Sequence, residues 1–316
     1  MDGTVTSFFA GMAPHATTAG QEQQQQRIPP HRTGMEGRLF LSLHRDTAWA
    51  RTTLAWQRSE PPLSVQRALY CEAGLPDMAY IYITSTSGGI LQGDRHLVGL
   101  ELGRGARAHV TTQGATRIYG TDRTSGEKGA TQTLQARLDG GSYLEYMPDQ
   151  IIPYANSGFS QDAAFAVHET ATLVYAETIS PGRAGMGESF AYRSCSLRMR
   201  VTDQDGRFRF VDAARMVPSQ PSSIRSFGVM GGYDTVSSLY VLTERRHVAD
   251  LQRGIDGIIL GDGSVTGGAA VMSGGTGVLA RLLAHDAESA KAATGAAAAL
   301  ARRTILDAPF TAVRKS

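Results

Sequence analysis

Leu197-Arg198-Met199-Arg200-Val201, then Thr202-Asp203-Gln204-Asp205-Gly206, then Arg207-Phe208-Arg209-Phe210-Val211: two runs of alternating apolar and cationic residues flank an Asp-Gly turn. Side chains alternate across a strand, so each run has one dry face and one wet face, and the turn pairs them as a hairpin. The same period two recurs upstream. Val98, Leu100 and Leu102 run into Gly103-Arg104-Gly105 and resume at Ala108 and Val110, and Leu134, Ala136 and Leu138 run into Asp139-Gly140-Gly141 before Leu144 and Tyr146. Both read as further hairpins. No strand-helix alternation precedes residue 240, so the expectation is a mainly β chain of antiparallel, hairpin-rich sheets stacked into one elongated body.

The last third differs. Val248, Leu251 and Ile255 recur at helical spacing, and Asp286 stands as an N-cap before an alanine-rich run from Ala287 to Arg303. About two α-helices are expected there. Between them Gly261 to Gly268, Val271-Met272 and Gly277 to Leu283 read as strands joined by glycine turns. Residues 1–35, with Gln21 to Gln26 broken only by Glu22 and with Pro29-Pro30, are too polar to offset their ordering entropy. They are expected to form a disordered tail ahead of a single domain over residues 36–316.

Composition narrows the function classes. The chain has 316 residues, 41% of them apolar, and a net charge of +2 from interspersed acids and bases, which gives no footprint for nucleic acid. Two cysteines, Cys71 and Cys195, lie outside any C-x-x-C spacing, which fits a reducing cytoplasm better than a disulfide scaffold. No apolar run approaches the roughly 18 residues of a membrane span. Walker, H-E-x-x-H and G-x-S-x-G signatures are absent. Gly275-Thr276-Gly277-Val278-Leu279-Ala280 matches G-x-G-x-x-A, so an enzyme binding NAD or another nucleotide there stays open, although the acid expected about 20 positions on is missing.

Acids set in apolar or glycine-rich segments are the remaining chemistry. Asp94, Glu145, Asp149, Glu177 and Glu188 would each need an arginine, a backbone donor or a metal, with Arg67, Arg95, Arg117 and Arg183 as candidate partners. Structural acid-arginine pairs and metal ligands are both consistent with that pattern.

Five segments taken in order suggest more. Pro61 to Tyr70; Ser87-Gly88-Gly89-Ile90-Leu91-Gln92-Gly93-Asp94-Arg95; Thr111 to Tyr119; Leu144 to Gln150; and Gly182-Arg183-Ala184-Gly185-Met186-Gly187-Glu188-Ser189-Phe190 together resemble the motifs of the urease accessory protein D family, called H in some bacteria. Gly88, Gly89, Gly93, Arg183 and Gly187 are the motif positions that carry it, and Leu91-Gln92 stand where many members have further glycines. The resemblance implies a β-rich scaffold with a small helical part and no catalysis of its own. Its implied partners are apo-urease, the accessory F protein and, through F, the GTPase accessory G protein, with Asp307 to Thr311 near the F contact. It further implies no tightly bound cofactor but a transient passage of Ni²⁺ through the interior. Weak oxygen ligands suit an ion that must be released. Glu145, Glu177 and Glu188 are the residues expected to line or gate that passage, followed by Asp94 and Asp149.

Overall fold

The computed structural model describes residues 34–121, 129–219 and 224–310; the expected disordered tail, residues 1–35, lies outside them up to residue 33. Two sheets stack face to face and two helices cover the second. The first sheet contains β1 (Glu36–Asp46), β2 (Arg51–Glu60), β5 (Arg95–Leu102), β8 (Ala130–Leu138), β11 (Gly158–Val167), β13 (Ser194–Thr202) and β14 (Phe208–Met216), in the order β14-β13-β11-β8-β5-β1-β2. The second contains β3 (Leu63–Ser64), β4 (Ala79–Ser85), β6 (Arg107–Thr112), β9 (Tyr143–Tyr146), β12 (Thr172–Ile179), β15 (Thr235–Leu242), β16 (Val265–Val271) and β17 (Gly277–Ala284), in the order β16-β17-β15-β12-β9-β6-β4-β3. Two short strands, β7 (Thr116–Ile118) and β10 (Ile151–Pro153), pair beside it.

The fold is mainly β with two helices in the C-terminal part, and the quoted hairpin is real: β13 and β14 pair antiparallel around the Asp203 turn. The other two expected hairpins are not. β5 pairs in parallel with β1 and β8, while β6 pairs in parallel with β4 and β9, so Gly103 to Ala106 carries the chain from one sheet to the other. The Asp139 turn does the same between β8 and β9. From β4 to β13 the chain winds as a flattened coil, and both sheets are parallel at their centres and antiparallel at their edges. Period two records which side of a strand is dry, and a strand pair gives the same pattern whether it lies side by side or face to face. The turns decide between the two arrangements. Asp139 N–H donates to Leu102 C=O at 3.0 Å and His168 N–H to Leu138 C=O at 3.0 Å, so each corner bonds to the corner of the coil before it.

Between the sheets lies an aliphatic core of Leu39, Leu41, Leu43, Leu100, Leu102, Leu134, Leu138 and Phe165. The second sheet is buried on both faces, which explains its unbroken apolar strands Leu173-Val174-Tyr175-Ala176 and Leu239-Tyr240-Val241-Leu242. On its far side Val174, Ala176 and Val241 meet helix α1 (Arg245–Gly261), through Val248, Leu251, Ile255 and Ile259, and helix α2 (Ala287–Leu306), through its alanines. Asp286 caps α2 as expected, accepting from Ser289 N–H at 2.7 Å. Gly275 precedes β17, not a helix, so the Gly275–Ala280 turn lacks the helix N-terminus that a dinucleotide loop requires. Gly277 serves strand packing there, because a Cβ would lie 2.2 Å from Val241 C=O.

The Ser87–Asp94 segment is the corner from β4 into β5. Gly93 has φ +92°, and a Cβ on Gly89 would come within 2.6 Å of Arg117 C=O. Gln92, in place of a glycine, ties the corner down: its amide donates to Tyr119 C=O at 2.7 Å and its oxygen accepts from Gly158 N–H at 2.9 Å. Gly89→Ala is therefore expected to cost about 1–3 kcal/mol in urea unfolding. Gly114→Ala, with open space around its Cβ, should stay within about 0.5 kcal/mol of wild type. Equal losses in the two variants would refute the close-packing role of Gly89.

Candidate functional site

The inward face of the first sheet is apolar except along one row and at Asp212 on its edge strand. His96 stands beside Gln132 in the β5–β8 register, and Gln132 beside Gln161 in the β8–β11 register. All three occupy the phase that Val98, Leu134 and Ala163 fill one step further on. Facing them on the second sheet are Tyr146, Tyr175 and Tyr240, with Glu177 beside them. Gln132 donates to Gln161 Oε1 at 3.2 Å; Gln161 Nε2 donates to the Tyr175 hydroxyl at 3.0 Å and to Glu177 Oε1 at 2.8 Å. Tyr175 also donates to Glu177. Across β15 and β17 the polar file continues as Ser238 and Arg281, where Arg281 Nε donates to Ser238 Oγ at 3.1 Å and its guanidinium pairs with Asp212. Tyr240 donates to the same carboxylate at 2.7 Å.

A cavity opens at each end of this layer. One, of about 260 Å³, lies beneath the Ser87–Gly89 corner and is lined by His96, Gln132, Thr112, Gln113 and Tyr146; the other, of about 300 Å³, is lined by Glu177, Asp212, Arg281 and Tyr240. Exposed Gly88 and Gly114 stand at the first, and exposed Arg215 and Val229 at the second. Gln161 and Tyr175 lie between the two. Burial pushes the Glu177 carboxyl above its ordinary value; the Tyr175 and Gln161 hydrogen bonds and Arg281 offset part of that rise, while Asp212 adds to it. Burial pushes the His96 imidazole down, against a smaller upward pull from Asp94. Among the described residues no three His, Cys, Asp or Glu side chains converge into a metal-holding group.

The other acids named from sequence lie elsewhere. Glu145 is fully buried but on the helix side of the second sheet. Arg302 donates to it through Nε at 2.8 Å and Nη2 at 2.5 Å, His109 Nδ1 lies 2.6 Å away, and the Tyr143 hydroxyl donates at 2.8 Å. Arg302 also donates to Glu72 at 2.9 Å and to Pro309 C=O at 3.4 Å, and lies 4.2 Å from the Phe310 ring centre. Glu188 pairs with Arg183 on the surface and accepts from Ala155 N–H at 3.3 Å, and Gly187, at φ +76°, turns the chain between them. Asp94 accepts from Met35 N–H at 2.6 Å and Leu91 N–H at 2.9 Å, which makes it the clamp of the glycine corner. Asp149 pairs with Lys291 at 3.0 Å. The structure thus places Glu177 alone of the five in the inter-sheet layer.

Arg302 escaped the sequence argument, yet it left a signal. It follows Ala298 by four in the stripe Ala290, Ala293, Thr294, Ala297, Ala298, Ala301, where a charge has no place unless it is paired. His96, Gln132 and Gln161 left an equivalent one, as polar residues in the dry phase of their strands.

A two-sheet, helix-backed scaffold with an internal polar layer, and no metal cluster among the described residues, defines the class. The comparisons then give the family. The model of the UreD urease accessory protein family matches residues 35–315. The chain is 39% identical over 284 residues to the urease accessory protein UreD of Cenarchaeum symbiosum, covering 90% of this chain and 97% of that one. It is 35% identical over 278 residues to UreD 2 of Brucella canis, covering 87% and 89%. The chain belongs to the UreD urease accessory protein family.

The Arg302 cluster yields a stability prediction. Burial would raise the Glu145 carboxyl, but the hydrogen bonds and charges of Arg302 and His109 outweigh it and hold the group down at about 2. Glu145→Gln leaves Arg302 short of a charge partner and is expected to cost about 3–5 kcal/mol in urea unfolding at pH 7. A depressed carboxyl contributes stability above its unfolded value of 4.5 and loses it as pH falls towards 2. The gap between wild type and E145Q should therefore shrink across that window; a gap independent of pH would contradict the assignment.

Proposed function

We propose that this chain is a non-catalytic scaffold of urease maturation that guides Ni²⁺ through the inter-sheet layer towards apo-urease. The observation that carries the reading is the file His96, Gln132, Gln161, Tyr175 and Glu177 running between two surface cavities through an otherwise aliphatic interior. A bare divalent ion cannot cross hydrocarbon, because the cost of burying an unpaired charge reaches tens of kcal/mol. Amide, hydroxyl and imidazole donors with one carboxylate lower that cost without the depth of a thiolate cage. Glu177, whose carboxyl burial pushes above its ordinary value, is the one acid of the file and supplies the charge that meets the arriving cation. Glu145, Glu188, Asp94 and Asp149 then act as anchors rather than gates.

Within this reading the partners are apo-urease, the accessory F protein and, through F, the GTPase that hydrolyses GTP, and the complex assembles in the cytoplasm. The C-terminal segment fits the F contact, since Arg302 fixes Pro309 and Phe310 on the second sheet's outer side. No helix among the described residues is long and apolar enough to cross a membrane.

Glu177→Gln, co-expressed with urease and the F and G proteins, tests the proposal. It keeps the side chain's size and its acceptor for Gln161 but removes the charge. Nickel-dependent urease activation should fall by about tenfold or more while the complex still co-purifies. If assembly is lost instead, Glu177 is structural, and if activation is unchanged the layer is not the route.

A further inference from the structure

We propose that the cavity between α2 and the outer face of the second sheet binds a small, neutral, flat apolar molecule whose single hydroxyl or N–H donates to His109 Nε2. The cavity holds about 610 Å³ and is lined in part by Tyr80, His109, Met147, Gly295, Ala296 and Phe310. Small-molecule sites span roughly 300–1,000 Å³ and share its apolar walls with few polar groups. It lies across the second sheet from the polar layer and has no lining residue in common with either cavity there. Small residues on α2 keep it open, since Ala292, Gly295, Ala296 and Ala299 all line it. A glycine inside a helix costs stability relative to alanine. No described neighbour requires one at this position, because a Cβ on Gly295 would meet nothing within 4 Å. Its missing side chain instead permits close approach by a molecule entering the cavity.

Chemistry inside the cavity narrows the ligand. His109 is 3% exposed, and its ring stacks on Tyr80 at 4.4 Å, with Phe310 edge-on at 6.1 Å. Flat apolar walls of this kind suit a ring. Glu145, held ionised by Arg302 and His109, can only accept, so the proton of the 2.6 Å contact sits on His109 Nδ1. The neutral imidazole then presents Nε2 as an acceptor, and the described residues give that nitrogen no hydrogen bond. Thr111 and Thr294 of the lining are already bonded, to Met147 C=O at 2.6 Å and to Ser237 Oγ at 2.9 Å. His109 Nε2 is thus the buried side-chain acceptor that stays open to a ligand's donor. At the rim Lys291 and Asp149 pair at 3.0 Å and cancel, so the mouth selects no charge.

The test is fluorescence titration of the purified full chain with 2-naphthol, a flat apolar body with one hydroxyl, and with 2-methoxynaphthalene, the same body without the donor. Thermal melts establish folding. Wild type should bind 2-naphthol at a single saturable site and prefer it over the ether by about fivefold. His109→Phe, which keeps a flat ring, should bring the two probes to equal affinity. Gly295→Leu, whose side chain enters open space and is therefore expected to fold, should weaken 2-naphthol by about tenfold or more. If His109→Phe does not fold, the wild-type preference and the Gly295→Leu loss still decide. No saturable binding to wild type, equal affinity of wild type for the two probes, or binding that Gly295→Leu leaves unchanged overturns the site. Loss of co-purification with the F and G proteins in Gly295→Leu, without naphthol binding to wild type, likewise overturns it and makes this face a protein contact instead.

Discussion

The constraint on which the rest of this structure depends is the bonding of each corner to the corner of the preceding coil. Gly103 N–H reaches Leu43 C=O at 2.9 Å, Asp139 N–H reaches Leu102 C=O at 3.0 Å and His168 N–H reaches Leu138 C=O at 3.0 Å, so successive coils are held in one register. Residues in the same phase of consecutive strands must then stand side by side. Leu43, Leu102 and Leu138 form one such file, and His96, Gln132 and Gln161 form another. A hairpin meander could place polar residues at these phases too, but it would put sequence neighbours in contact rather than residues 29 or more positions apart. The polar layer is thus a product of the winding.

A layer of this kind is stable only if its members satisfy one another. Gln161 does most to meet that demand, accepting from Gln132 and donating to Tyr175 and Glu177. The Glu177 carboxyl remains the costly member, with its proton affinity raised by burial. Glu145 shows the opposite solution a short distance away on the other face of the same sheet. Arg302 charges one side of it, and its carboxyl is held down at about 2 despite complete burial. Two buried glutamates in one protein are thereby set apart by their donors: neutral groups around one, a guanidinium around the other. Burial raises the first carboxyl above its ordinary value, while Arg302 and His109 hold the second below it.

Sequence reading recovered what local chemistry determines. The Asp203 turn made the β13–β14 hairpin legible, the Asp286 cap and the alanine run made α2 legible, and the five ordered segments made the family legible. Partner strands were not legible, because Val98-Leu100-Leu102 followed by Ala108-Val110 is compatible with a hairpin and with an arc between sheets. The site was half visible. Glu177 was named for its apolar setting, but Glu145 was named for the same reason and faces the helices. One residue of offset along β9 or β12 decides which face a side chain takes, and that phase is set by the neighbouring coil rather than by the segment itself. Reading His96 and Gln132 as breaks in a dry phase would have located the layer without any partner information.

The position of the layer also follows from the winding. Rungs further from the Ser87–Asp94 corner are closed by Leu41, Leu100, Ala136 and Phe165, all of them at most 2% exposed, and give a cation no donor. At the corner end the chain must turn between sheets through Gly88-Gly89 and Gln113-Gly114, where small residues and free turn geometry leave a cavity instead of a packed seam. At the opposite edge β14 is an antiparallel edge strand, and its Asp212 faces inward to meet Arg281 and Tyr240 at the second cavity. The two cavities therefore differ in kind: an unpartnered imidazole among amides and hydroxyls at the first, a bound acid-arginine pair at the second. Arg117 lines the first cavity, and Arg281 lines the second along with Arg215, so each carries arginine beside its neutral polar residues.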